Sequence, residues 1–116
     1  LPFRDRSMAY DEGLAQRLRE IFAERSDVVE KKMFGGIAYM MRGNMVCGII
    51  GDILMARVGP EQYLAALKKP HTHDKAGNMR PMKGFVYIDS AGLESDKAIK
   101  EWIKLCEKFV GALPPK

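Results

Sequence analysis

Residues 28–58 read VVEKKMFGGIAYMMRGNMVCGIIGDILMARV, and how this stretch divides decides the fold. Glycine or asparagine interrupts it at Gly35-Gly36, Arg42-Gly43-Asn44, Gly48 and Gly51-Asp52. Arg42-Gly43-Asn44 and Gly51-Asp52 are turn chemistry, because Gly and Asn accept the positive φ that tight hairpins demand. The apolar pieces between them are too short for helices. Their spacing predicts strands over about 28–34, 36–41, 45–50 and 53–58, joined as an antiparallel meander.

Strict alternation assigns the faces. On the second strand Ile37, Tyr39 and Met41 oppose Ala38 and Met40; on the third, Met45, Cys47 and Ile49 oppose Val46, Gly48 and Ile50. On the fourth, Ile53, Met55 and Arg57 oppose Leu54, Ala56 and Val58. Neither face is polar, whereas a sheet with one wet face alternates cleanly. The second face is therefore expected to be covered at least in part, by a partner, by the chain itself or by another copy.

Outward from the meander, helical periodicity takes over. Upstream, Leu14, Leu18, Ile21 and Phe22 recur on one side of a helix over about 11–25, with Asp11 as its N-cap. Downstream, Gly59-Pro60 is expected to open a second helix with Pro60 in its first turn, apolar through Tyr63, Leu64 and Leu67 and stopped by Pro70. Residues 70–79 (PHTHDKAGNM) read as a surface loop. Phe85-Val86-Tyr87-Ile88 is a last strand, with Pro81 at its start or at an edge. Ile99, Trp102, Ile103, Cys106, Phe109, Val110 and Leu113 stripe a final helix capped by Ser95 or Asp96 and ended by Pro114-Pro115.

The order is helix, four strands, helix, strand, helix. Three helical stripes buried on a mainly antiparallel sheet of about five strands give a two-layer α+β domain. Leu1–Ser7 (LPFRDRS) precedes Met8-Ala9-Tyr10-Asp11, which reads as a natural start, so residues 1–7 are expected to be a tag or loosely ordered extension and 8–116 a single domain.

Composition narrows the classes. Nineteen Lys and Arg against 15 Asp and Glu leave a formal +4, scattered rather than clustered. That permits an acidic partner without the concentrated basic patch of a nucleic-acid binder. Two isolated cysteines, Cys47 and Cys106, with no C-x-x-C pair and no membrane-length apolar run, read as small buried hydrophobes of a cytoplasmic protein.

Candidate chemistry is sparse. His71-Thr72-His73-Asp74 has metal-ligand residue types but no third ligand at useful spacing, so no metal and no cofactor is expected. The eight methionines lie mainly among apolar strand residues and read as packing or as an adaptable binding face. Gly35-Gly36 lacks a phosphate-loop pattern and reads as a bend. Arg57 shares a strand face with Ile53 and Met55, so it either snorkels to the rim or pairs with an anion. With Arg80 and Lys83 it forms the candidate anion or partner contact. No catalytic residue is assigned.

The stretches MAYDEGLAQRLRE, KKMFGGIAYMMRGNMVCGIIGDILMARVGPEQY and RPMKGFVYID, and the closing helix with LPPK, together resemble the TfoX/Sxy N-terminal domain, in order and over residues 8–116. The resemblance implies an α+β domain with helices backing a sheet, and a regulatory rather than catalytic role. Longer relatives regulate natural competence genes and carry a second, helical domain. With the sequence stopping at Lys116, the expectation is a stand-alone N-terminal domain. The motif positions are Met33, Phe34, Gly35, Gly36, Arg57, Gly59, Pro60, Arg80, Pro81 and Gly84, mostly in folding roles. The expected function is a non-enzymatic regulatory or protein-interaction domain with a protein partner, as a homodimer through an apolar sheet face or edge. The alternatives are a nucleic-acid-binding regulator or a small anionic-ligand-binding domain.

Overall fold

A computed structural model describes residues 10–33 and 35–116. The expected extension over 1–7 and the motif residue Phe34 lie outside the described residues. Helix α1 spans Glu12–Ile21, and strands β1 to β4 span Val28–Met33, Gly36–Met41, Asn44–Ile50 and Ile53–Arg57. They are followed by α2 (Tyr63–Leu67), β5 (Thr72–His73), β6 (Phe85–Ile88), a 3₁₀ turn over Ser90–Leu93 and α3 (Asp96–Val110). The six-stranded open sheet has the order β1-β2-β3-β4-β6-β5, each neighbouring pair antiparallel. The fold is the expected two-layer α+β one, with one more strand than the five anticipated.

The helices share one face of the sheet. Leu14 and Leu18 of α1 with Phe22 at its C-terminal cap, Ala66 of α2, and Ile99, Ile103, Cys106 and Val110 of α3 join Ile37, Tyr39, Ile49, Leu54, Val86 and Ile88 in one core. Tyr39 ties α1 down twice, stacking on Phe22 with ring centroids 5.5 Å apart and donating its hydroxyl to the Ala15 carbonyl at 3.3 Å. Asp11 caps α1 by accepting from the Leu14 amide at 3.2 Å, and Ser95 caps α3 through the Ala98 amide at 3.1 Å. Each cap satisfies a donor that the first helical turn leaves unpaired, a contribution of about 1 kcal/mol.

The second face carries its own smaller cluster. Met55, Ala76 and Tyr87 are buried there, with Met45, Ile50, Ile53, Met79 and Phe85 packed around them. Ala76 and Met79 belong to the loop between β5 and β6, so the chain folds back over the β4–β6 part of this face.

Three local expectations are corrected. Met45 lies in the second-face cluster and Val46 in the main core, the reverse of strict alternation. A register shift between Tyr39 and Met40 leaves Val46 as the extra residue of a bulge, and past a bulge the alternation changes phase. Helix α2 starts at Tyr63 rather than at Pro60 and is short, and the residues just before Pro60 are bound to the loop before β6. The Val58 and Gly59 amides both donate to the Gly84 carbonyl, at 2.9 and 3.0 Å. Finally, Thr72–His73 is not loop but the end strand β5, whose pairing with Ile88 and Tyr87 is supplied by β6.

Candidate functional site

Arg57 ends β4 opposite Phe85, and its guanidinium carbon lies 5.7 Å from the centroid of the Phe85 ring and 5.5 Å from that of Phe109. Its Nη1 also donates to the Met45 carbonyl at 3.4 Å. A cation held between two ring faces is attracted to both, by about 0.5–2 kcal/mol per contact. Arg80 and Lys83 are exposed in the loop before β6 and make no ion pair with any described residue. Of the candidate trio, then, Arg57 is engaged within the fold and the other two project from it.

The motif glycines meet where Arg57 does. Gly59 has φ +88 and Gly84 φ +97, a region that L side chains avoid. A Cβ on Gly59 would stand 2.5 Å from the Phe109 ring, and one on Gly84 3.3 Å from the Gly59 backbone. Pro60 and Pro81 are exposed beside this junction. Met33 closes β1 opposite Gly36, and Gly35 makes the bend between them with φ +74.

His73 Nε2 lies 2.8 Å from Asp89 Oδ2 and His71 Nδ1 3.6 Å from Asp89 Oδ1. The carboxylate that meets both histidines is thus Asp89, not the adjacent Asp74. The His73 contact, above all, holds the Asp89 carboxyl below the usual carboxylate range. Among the described residues no group of three or more His, Cys, Asp and Glu is arranged to hold a metal ion. Both thiols are buried in the main core, and desolvation raises them, Cys47 well above the ordinary value and Cys106 to about 12.

A concavity lies elsewhere. A groove of about 870 Å³ runs between α2 and α3. Ala66, Ala98, Trp102 and Leu105 give it an apolar floor. Its rim carries Lys68 and Lys69 from the end of α2 and Lys104 and Lys108 from α3, against one carboxylate, Glu101. Lys69 lies over the indole of Trp102, 5.7 Å from the ring centroid, so the floor is roofed on one side by a cation. Lys97 and Lys100 continue the row along α3 beside Lys104. A helix of 15 residues is about 22 Å long, so the row is extended rather than a point.

Sequence reading passed over these lysines. By helical spacing Lys100 and Lys104 belong to the solvated side of α3, and Lys68-Lys69 to a helix end, where cations are favoured. The row itself was visible in the helical spacing of 97, 100, 104 and 108. Its concentration was not, because the two halves of the rim are distant in sequence and only the fold brings them together.

A family model described as the TfoX N-terminal domain matches residues 20–110. Neither the curated proteins nor the solved structures yield a match. The matched stretch holds the whole sheet, the Gly59–Gly84 junction and both walls of the groove, and on that span the chain belongs to the TfoX N-terminal domain family, a family of the regulatory type.

Proposed function

We propose that this chain is a non-enzymatic regulatory domain that acts by binding another protein through the α2–α3 groove. The occupant is a segment acidic on one side and apolar on the other. One observation carries the reading: an apolar floor containing Trp102 is rimmed by four lysines and a single glutamate. Apolar side chains on the floor supply the non-directional part of the affinity, about 25 cal/mol for each Å² removed from water. The lysines supply attraction over longer distances and select the sign of the partner. Lysine suits this use, being a mobile point charge that meets carboxylates in many geometries. Two thiols kept reduced in the core suit a cytoplasmic regulator.

A second reading has an observation of its own. The row Lys97, Lys100, Lys104 and Lys108 would also match a phosphate backbone, which favours lysine along an exposed helix. A duplex, however, turns its phosphates outward and keeps its bases stacked inside, so it offers little apolar surface to the floor, and the protein partner accounts for more of the groove.

Affinity capture from native lysate tests the proposal, with the wild-type chain and a Lys69→Glu/Lys104→Glu variant as parallel baits. The expected result is a protein retained by the first and lost by the second, while both baits melt at similar temperatures. A partner held equally by both would move the binding surface elsewhere. Capture that vanishes on nuclease treatment would favour the nucleic-acid reading.

A further inference from the structure

The sheet is open, and β1 is an end strand with six residues in unbroken register with β2. An end strand presents backbone N–H and C=O groups without ladder partners, and so is a template for another strand. The opposite end, β5, has two residues and follows His71 in the left-handed region at φ 63, so it offers little to pair with.

The register also sorts the side chains of β1. Val29, Lys31 and Met33 lie opposite Met40, Ala38 and Gly36 on the face away from the helices, and Glu30 and Lys32 lie opposite Tyr39 and Ile37 on the helical face. Val29 is 59 % exposed and Met33 37 %, which places both among the large apolar side chains that the described residues leave in water. Neither is covered by the loop that shields the second face over β4 and β6.

We propose that β1 pairs antiparallel with β1 of a second copy of this chain, about a two-fold axis through Lys31. Residues opposite each other across a ladder share a face, so a two-fold pairing must centre on a residue rather than between residues. Centring on Glu30 would set Glu30 against itself and Val29 against Lys31. Centring on Lys32 would set Lys32 against itself and Met33 against Lys31. Centring on Lys31 instead sets Val29 against the partner's Met33 and Glu30 against the partner's Lys32, each twice. Apolar and opposite-charge pairs directly across a ladder are the stabilising ones.

One feature relieves the remaining conflict, Lys31 against itself. Its cross-strand neighbour is Ala38, and beyond that Gly48, so its stem has room to lie flat over its own sheet and carry the ammonium away from the axis. Glu30, for its part, is already held in place by Arg19, at 2.7 and 3.0 Å through its two oxygens. Arg19 is shared with Glu12 at 3.1 Å, which leaves the three-residue cluster one net negative charge for the partner's Lys32. A single six-residue pairing is small beside the roughly 1,600 Å² of a standard interface, so the dimer is weak and concentration-dependent. The α2–α3 groove stays open in it, because α2 packs at the β5–β6 end of the sheet.

Sedimentation equilibrium tests the pairing with two charge reversals. Lys32→Glu opposes acid to acid twice, and Glu30→Lys opposes base to base twice. The wild type is expected to gain average mass with concentration, and each variant alone to remain monomeric. An equimolar mixture of the two variants should associate again, because both cross-strand pairs are then of opposite sign. A wild type that stays monomeric throughout, a dimer that survives in both variants, or a mixture that fails to associate would each overturn the proposal. Mixing Val29→Cys with Met33→Cys chains under mild oxidation covers the case where a reversal disturbs folding. A mixed disulfide is expected only from the pair together, and its absence contradicts the register.

Discussion

At the scale of single residues, Gly59 and Tyr87 mark opposite limits of tolerance. Gly59 combines φ +88 with the Phe109 ring pressed against its α-carbon. Gly59→Ala is expected to cost about 2 kcal/mol or more, from backbone strain together with displacement of a ring. Chemical denaturation measures that loss directly. Phe109 also faces Arg57, so the variant should loosen the arginine as well. Tyr87 is fully buried, and its hydroxyl has no hydrogen-bond partner among the described residues. Burial raises that phenol's pKa. Tyr87→Phe removes an unpaired polar atom while keeping the ring, and should be neutral or stabilising by up to about 1 kcal/mol. A loss of that size in the same denaturation assay would mean the hydroxyl is satisfied. Gly59 was legible in the sequence only as the entry to a helix, not as the point where the Phe109 ring closes on the backbone. The orphaned Tyr87 hydroxyl was not legible, since periodicity gives a residue's face but not the partners of its polar atoms.

At the scale of elements, the meander was the most legible part, for a local reason. Each turn is written in its own residues, as at Arg42-Gly43, where φ is 52 and 86. The stripe of α3 was equally plain. What escaped was structure imposed from outside a segment. The β3 bulge moves Met45 and Val46 to each other's faces, and nothing in a run of apolar residues announces an extra one. Strand β5 is two residues long and exists because β6 pairs with it. Helix α2 begins at Tyr63, three residues past Pro60, which nothing in Gly59-Pro60 foretells.

Links between elements at the surface are ionic, and their pH dependence has one sign. Arg19 holds Glu30 below the usual carboxylate range, joining α1 to β1. Arg25 does the same for Asp27 and also bonds Glu107 of α3. His73 does so for Asp89 beside β6. Acids with depressed folded-state pKa values add stability that is complete above their unfolded pKa and is lost as pH falls through the folded one. Melting temperature is therefore expected to fall once pH drops below about 4, the ordinary carboxylate range. Glu30 remains about one-third exposed, so its pair with Arg19 is worth no more than about 1 kcal/mol after screening. Arg19→Gln should lower stability at neutral pH by up to that amount and leave the acid end, where Glu30 is protonated, nearly unchanged, so part of the acid limb flattens.

At the scale of the whole molecule, helices cover one side of the sheet and a loop covers part of the other. Among the described residues, Val29 and Met33 leave apolar surface at the β1 edge, and the α2–α3 groove exposes an apolar floor. The apolar texture of both sheet faces was readable from alternation, and the loop accounts for part of the cover it demanded. The groove was not readable, because a net charge of +4 says nothing about where the lysines converge. Trp102 is the only tryptophan in the chain, so its fluorescence reports on the groove without a label. The most direct measurement is a titration of that emission with a helical peptide carrying leucine at i, i+3, i+4 and i+7 and glutamate elsewhere. Binding in the groove predicts a saturable spectral shift that weakens with added salt and by about tenfold in Lys69→Glu/Lys104→Glu, corresponding to roughly 1.4 kcal/mol. An emission spectrum that the peptide leaves unchanged at low salt, or a shift equal in the wild type and the variant, would contradict it.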